Sequence, residues 1–165
     1  MSEEIKLEKI KSLRAAYFHA FSDNPEEDAW KKLESWGNKK GLLEENSKTR
    51  IFGRNTYPTD NPEPHGYGYF ITIHPETKID KDILIRIIPG GLYAVLKCEG
   101  IENLGSFWGK LWKWVNNSEY KYIGETKGTN GYELGYEEHL NWRNVMVKKR
   151  DAKFLFNLMI QLCEE

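Results

Sequence analysis

A constant shift of 78 residues, from Ala16 to Ala94, lays one stretch of this chain on another without a gap. The shift also places Trp30 on Trp108, Lys32 on Lys110, Leu33 on Leu111 and Trp36 on Trp114. Tryptophan is a rare residue, so two coincidences at one helical spacing point to an internal duplication. Two unrelated amphipathic helices would explain the apolar spacing but not the aligned indoles. Each copy reads as a strand, a short turn and an amphipathic helix. In the second copy Leu92 to Cys98 is the strand, entered through Pro89-Gly90-Gly91 and ended by Gly100. Proline cannot donate a ladder hydrogen bond and paired glycines tolerate positive φ, which suits a bulge or sharp entry. Leu104, Trp108, Leu111, Trp112 and Val115 then recur at helical spacing. In the first copy Ala16 to Ala20 is the strand. Asn24-Pro25-Glu26-Glu27 is a helix start, with Asn24 as N-cap, Pro25 in the first turn and Glu27 placed for a capping box. That helix runs to about Lys40, and Gly41 stops it.

The remaining segments complete each copy. Ile5 and Leu7 share a weakly alternating face, read as a strand that resumes through Arg14 to Phe21, although residues 4–13 also permit a helix. Lys48 to Arg54 is a short strand centred on Ile51 and Phe52, and residues 55–65 are a proline-rich loop. Tyr67 to His74 alternates, with Tyr67, Tyr69, Ile71 and Ile73 on one face. Ile83 to Ile88 leads into the second copy. Tyr120 to Gly124 is extended, residues 127–131 carry turn chemistry, and Tyr132 to Leu140 alternates again. Residues 141–153 read as loop, and Phe154 to Cys163 as a closing strand whose length also permits a helix. The pattern is β-α-β-β repeated, hence an α+β fold with a mostly antiparallel sheet and two main helices on one side. All 165 residues are expected to form one domain.

Composition excludes several functions. The net charge is −1, and no Lys/Arg cluster stands apart from the acids, so no direct nucleic-acid contact is expected. Lys148-Lys149-Arg150 reads as a solvated loop. No signal peptide or membrane-length apolar run is present, so a cytoplasmic protein without membrane contact is expected. Cys98 and Cys163 lie in apolar patterns and read as buried free thiols. His19, His65, His74 and His139 have no metal-like spacing, and no phosphate or dinucleotide motif occurs, so no metal or cofactor is expected. The unusual feature is aromatic content, 13% with six Trp and nine Tyr. An excess of rings suits a pocket for flat apolar molecules and organic cations.

One strand carries candidate chemistry. Alternation puts Glu133, Glu137 and His139 on one face and Glu138 on the other. A carboxylate held among rings attracts a cation, or has its pKa raised and serves as a general acid or base. The same residues on a solvent-facing strand would do neither.

Arg50-Ile51-Phe52-Gly53, Tyr67-Gly68-Tyr69, Ile88 to Val95 and Glu137-Glu138-His139-Leu140 occur in this order, with Ala29-Trp30 and the Trp108 to Trp114 helix as further matching stretches. Together they resemble the GyrI-like small-molecule-binding domain, the effector-binding domain of AraC- and MerR-type regulators. The resemblance covers nearly the whole chain. It implies a duplicated β-α-β-β fold with a central ligand cleft, agreeing with the internal repeat. It implies Glu137 as the acidic cleft residue that meets lipophilic cations. Tyr17, Tyr67, Tyr69, Tyr93, Trp108 and Trp112 are the rings expected to line the cleft. Some stand-alone members resemble hydrolases that open strained electrophilic rings, which would give catalytic roles to Glu137, Tyr69 and His139. The name-giving member binds a protein, so a protein partner is a further expectation. Many relatives have Glu after Tyr-Gly-Tyr, where this chain has Phe70. Many have Tyr two residues beyond the glutamate, where it has His139. From the length of the chain, no helix-turn-helix is expected beside the domain.

Overall fold

The alternating and helical stretches fold as their periods demand. In the computed structural model, which describes residues 4–56, 65–124 and 135–164, ten main elements follow in order. They are β1 (Lys6–Ile10), β2 (Leu13–Ser22), α1 (Pro25–Lys39), β3 (Ile51–Thr56), β4 (His65–Thr72), β5 (Leu84–Ile88), β6 (Gly91–Glu99), α2 (Leu104–Asn117), β7 (Tyr136–His139) and β8 (Leu155–Leu162). The chain divides into two compact units, Ser12–Pro89 and Met1–Lys11 with Gly90–Glu165. The fold is α+β, with one main helix and antiparallel strand pairs in each unit.

Strand order makes the duplication explicit. In the first unit it is β3-β4-β2-β5, and in the second β7-β8-β6-β1. Each unit is thus strand, helix, strand, strand, plus one edge strand. The edge strand of each unit is the one that runs directly into the first strand of the other: β1 precedes β2 in the chain, and β5 precedes β6. Register extends the equivalence. Ala16 lies opposite Ile71, and its counterpart Ala94 lies opposite Ile160, so β4 maps onto β8. Gly53 then lies opposite Tyr69, and Glu137 opposite the matching Leu158. Gly53 and Glu137 are therefore equivalent positions, as are Asn55 and His139, which lie opposite Tyr67 and Phe156.

Helix α1 packs on β2 and β4. Ala29, Trp30, Leu33 and Trp36 are buried on its inner side, with Trp36 against Phe18 at 5.6 Å between ring centroids. Helix α2 lies on β6 and β8. Leu111 and Val115 pack there with Ala94, Leu96, Cys98, Phe156, Leu158 and Ile160. Leu33 and Leu111 are fully buried; truncating either to Ala removes about 2–5 kcal/mol.

Local detail departs from the sequence-based reading in four places. The Asn24 side chain makes no capping hydrogen bond. Instead Ser22 Oγ donates to Asp28 Oδ2 at 2.6 Å and accepts from the Asn24 N–H at 3.2 Å, tying the strand end to the first helical turn. Residues 48–50 precede β3 without joining it. The expected loop at 141–153 contains a π-helical turn, Arg143–Val147. Its start is held by Asn141, whose side chain bonds the Lys153 carbonyl and the Leu155 N–H. Cys163 is half-buried just beyond β8, whereas Cys98 is buried, and both are free thiols. The predicted turn at 127–131, together with Tyr132, Glu133 and Leu134, lies outside the described residues. Among the described residues no helix is long and apolar enough to cross a membrane.

Candidate functional site

Strand β7 is short and wholly buried. Glu137, Glu138 and His139 are 5%, 7% and 6% exposed, the buried polar or charged residues among those described. Burial of a carboxylate is costly unless donors meet it. Pleating decides which side chain meets which element. Glu137 and His139 lie opposite Leu158 and Phe156, whose side chains belong to the core beneath α2. They therefore face the helix, while Tyr136 and Glu138 face away.

Trp108 leans from α2 over this strand. Its Nε1–H donates to Glu137 Oε2 at 3.0 Å. Residue 135 beneath the ring is glycine: a Cβ there would overlap the Met159 carbonyl and stand a tight 3.1 Å from Trp108 Cη2. A neutral donor bonded to a carboxylate favours the anion and fixes its orientation. His139 follows two residues on, with its ring edge-on to Phe156 at 5.0 Å. Burial holds the His139 imidazole down to about 3, so it is neutral near pH 7. Trp112, one turn further along α2, packs edge-on against Tyr122 at 5.0 Å.

The first unit has a different arrangement at the matching positions. No side chain projects from Gly53, and a Cβ there would overlap the Tyr67 hydroxyl. Tyr67 and Tyr69 are each 3% exposed on the α1 side of the sheet, with rings at 4.9 Å. Trp30 meets the edge of Tyr69 at 5.7 Å. The opposite face of the same sheet carries Tyr17, tilted on Phe70 at 4.7 Å beneath the Arg86 guanidinium. Burial raises the Tyr17 phenol, against the smaller opposing pull of Arg54 and Arg86. His19, on the same face, bonds Thr56 Oγ1 at 2.7 Å. Burial and, second, Lys32 lower its imidazole.

The residues singled out from sequence thus fall into distinct groups. Glu137, His139 and Trp108 share one face of the second unit, with Trp112 on the same helix. Tyr67 and Tyr69 share the corresponding face of the first. Tyr17 lies on the face of its sheet away from α1. Tyr93 lies on the face of its sheet away from α2, fully buried, with Tyr136 at 6.5 Å. Sequence reasoning put Gly135 on the face of Glu137 and His139 but gave it no role; its missing side chain leaves room for the Met159 carbonyl. The signal available was a glycine two residues before the acid on an alternating strand.

Residues 6–144 match the pattern of Cass2, the integron-associated effector binding proteins, and the chain belongs to that family. Its architecture is that of the GyrI-like domain. The fold is similar to the EcmrR C-terminal domain, with a TM-score of 0.68 at 13% identity over 100% of both chains. It is similar to a hydrolase from Listeria innocua, with a TM-score of 0.61 at 8% identity over 96% of this chain and 92% of that one. It is also similar to SAV2435 bound to tetraphenylphosphonium, with a TM-score of 0.52 at 11% identity over 97% and 94% of the two chains. Against EcmrR in its DNA complex, the chain spans 58% of the longer protein. No curated protein matches the sequence.

Proposed function

We propose that the domain binds flat aromatic or lipophilic small molecules, preferably cationic, and that Glu137 supplies the charge. The observation that carries this reading is a carboxylate only 5% exposed, fixed by an indole N–H. Such a group recognises a cation by charge, while rings such as Trp108 and Trp112 add dispersion and cation–π attraction of about 0.5–2 kcal/mol per contact. A neighbour of the same fold is described with tetraphenylphosphonium bound, a lipophilic cation of this class. Titrating the protein with cationic, neutral and anionic dyes of similar size tests the reading. Cationic dyes are expected to bind about tenfold or more tightly than neutral ones, and Glu137→Gln is expected to erase that preference. Equal affinity across the three classes would remove it.

A second reading is hydrolysis of a strained electrophile. It is favoured by the hydrolase-named neighbours and by the neutral His139 beside Glu137. The Glu137 carboxylate would take a proton from water as its oxygen bonds a cyclopropane carbon. The strained C–C bond would break, and its electron pair would take up a proton from solvent. Incubation with a cyclopropane-containing alkylating compound would then yield a water adduct with wild type and none with Glu137→Gln. Absence of an adduct with wild type would leave binding as the function.

A further inference from the structure

The hydrogen bond from α2 to β7 assigns Trp108 a role other than contact surface. An indole has one N–H donor and no acceptor. In this structure that donor is directed at Glu137. A ligand stacked on the ring would therefore gain no hydrogen bond from it. We propose that Trp108 is a positioning residue, holding the Glu137 carboxyl group aligned so that the site prefers a cation over a neutral molecule of the same shape. The inference rests on the small-molecule reading above and names what sets its specificity.

Three observations converge on it. The carboxylate is buried, so its anionic form depends on donors that replace water. The indole also lies close over Gly135, where a Cβ would stand 3.1 Å from Trp108 Cη2, so the ring sits tightly against the strand that carries the acid. In the first unit the equivalent tryptophan, Trp30, meets the edge of the Tyr69 ring, and the position equivalent to Glu137 is Gly53. The scaffold therefore holds a tryptophan at this helical position whether or not an acid is present. Where the acid is present, the indole N–H is turned onto it.

The test is a double-mutant cycle on the full chain, Trp108→Phe against Glu137→Gln, with two probes of matched shape. Tetraphenylphosphonium supplies the cation and tetraphenylsilane, added from a small fraction of organic co-solvent, the neutral molecule of the same tetrahedral shape. Phenylalanine keeps a ring and removes the donor. Trp108→Phe is expected to weaken tetraphenylphosphonium binding by about tenfold and to leave the neutral probe within about twofold. Combined with Glu137→Gln, the same change is expected to have no further effect on either probe. Equal losses for both probes, or a loss undiminished when Glu137→Gln is already present, would make Trp108 a lining ring and overturn the inference. Wild type that binds neither probe would remove the binding reading and the inference with it. Wild type that discriminates, with a silent Trp108→Phe, would remove the inference alone. Should Trp108→Phe fail to fold, the Trp108 indole N–H resonance of the 15N-labelled chain is read in wild type and in Glu137→Leu. An upfield move in the variant supports the bond, and an unmoved resonance refutes it.

Discussion

The two units keep the same tryptophans and use them differently. Trp30 and Trp108 hold equivalent helical positions, as do Trp36 and Trp114. In the second unit the first of the pair bonds an acid, Trp108 to Glu137, and the later one stacks on a ring, Trp114 on Tyr120 at 6.3 Å and 17° between planes. In the first unit the order is reversed. Trp30 meets the Tyr69 ring, and Trp36 Nε1 donates to Asp80 Oδ2 at 3.0 Å. Glu137 is buried and Asp80 is exposed. One bond fixes a carboxyl group inside the unit, and the other ties a surface turn to a helix end. Duplication has preserved what packs a helix onto a sheet, because both copies need it. It has not preserved the polar residues: Glu137 and His139 of one copy stand where the other has Gly53 and Asn55.

The largest expected difference between the units is in acid stability. Asn55 is exposed and does not titrate, whereas its equivalent His139 is buried and neutral. The folded His139 pKa is about 3, against 6.5 for the ordinary side chain. Between these values the unfolded chain binds a proton that the folded chain does not. Stability from this residue is therefore complete above about pH 6.5, falls as the pH drops towards 3, and is flat below. The slope approaches about 1.4 kcal/mol per pH unit within the window. Urea denaturation from pH 7 to 4 in wild type and His139→Asn measures it. The variant should lose less stability over that range, while carboxylates common to both proteins cancel in the difference. Parallel curves would mean that His139 takes up a proton as readily in the folded protein as in the unfolded chain.

A smaller effect concerns the glycine that replaces the acid. Gly53→Ala places a methyl group against the Tyr67 hydroxyl, and overpacking of this kind costs about 1–3 kcal/mol. Loss of stability with unchanged denaturant slope is the expected result in equilibrium unfolding. An unchanged midpoint would show that Tyr67 moves aside easily, and that the first unit is closed by choice of side chain rather than by tight packing.

How far the sequence carries this comparison depends on where the constant shift holds. It holds at 78 through the first strand and helix of each copy, so Trp30, Leu33 and Trp36 find their counterparts by alignment alone. It becomes 84 between Gly53 and Glu137, and 89 between Tyr69 and Leu158. Loops of different length after each helix break the alignment, and Gly against Glu leaves no identity to restore it. Strand register recovers what the one-dimensional shift loses. Alternation correctly puts Glu137 and His139 on one face of β7. It cannot say which face meets α2, because that depends on pairing with β8, further along the chain. The π-helical turn at 143–147 is illegible for another reason. It has no apolar period, and its start is set by side-chain bonds from Asn141 to residues 153 and 155.

The smallest expected effect is at the other indole bond. Asp80 lies near the surface with Lys40 at 3.4 Å. The Trp36 hydrogen bond, above all, and Lys40 hold its carboxyl below the usual range, against an opposing contribution from burial. A depressed carboxyl pKa adds stability above its unfolded value and loses it as the pH falls through the folded one. An exposed ion pair is screened by salt and competes with water. Asp80→Asn keeps an acceptor for the Trp36 N–H and removes the charge, so its midpoint of thermal unfolding should match wild type closely at about 0.15 M salt. Glu137→Gln makes the same chemical change at the buried bond and should alter cation binding strongly. If Asp80→Asn were the more disruptive of the two, the contrast between a buried, carboxyl-fixing bond and a surface tie would be wrong. The turn at residues 75–82 would then hold the first unit together more than its helix does.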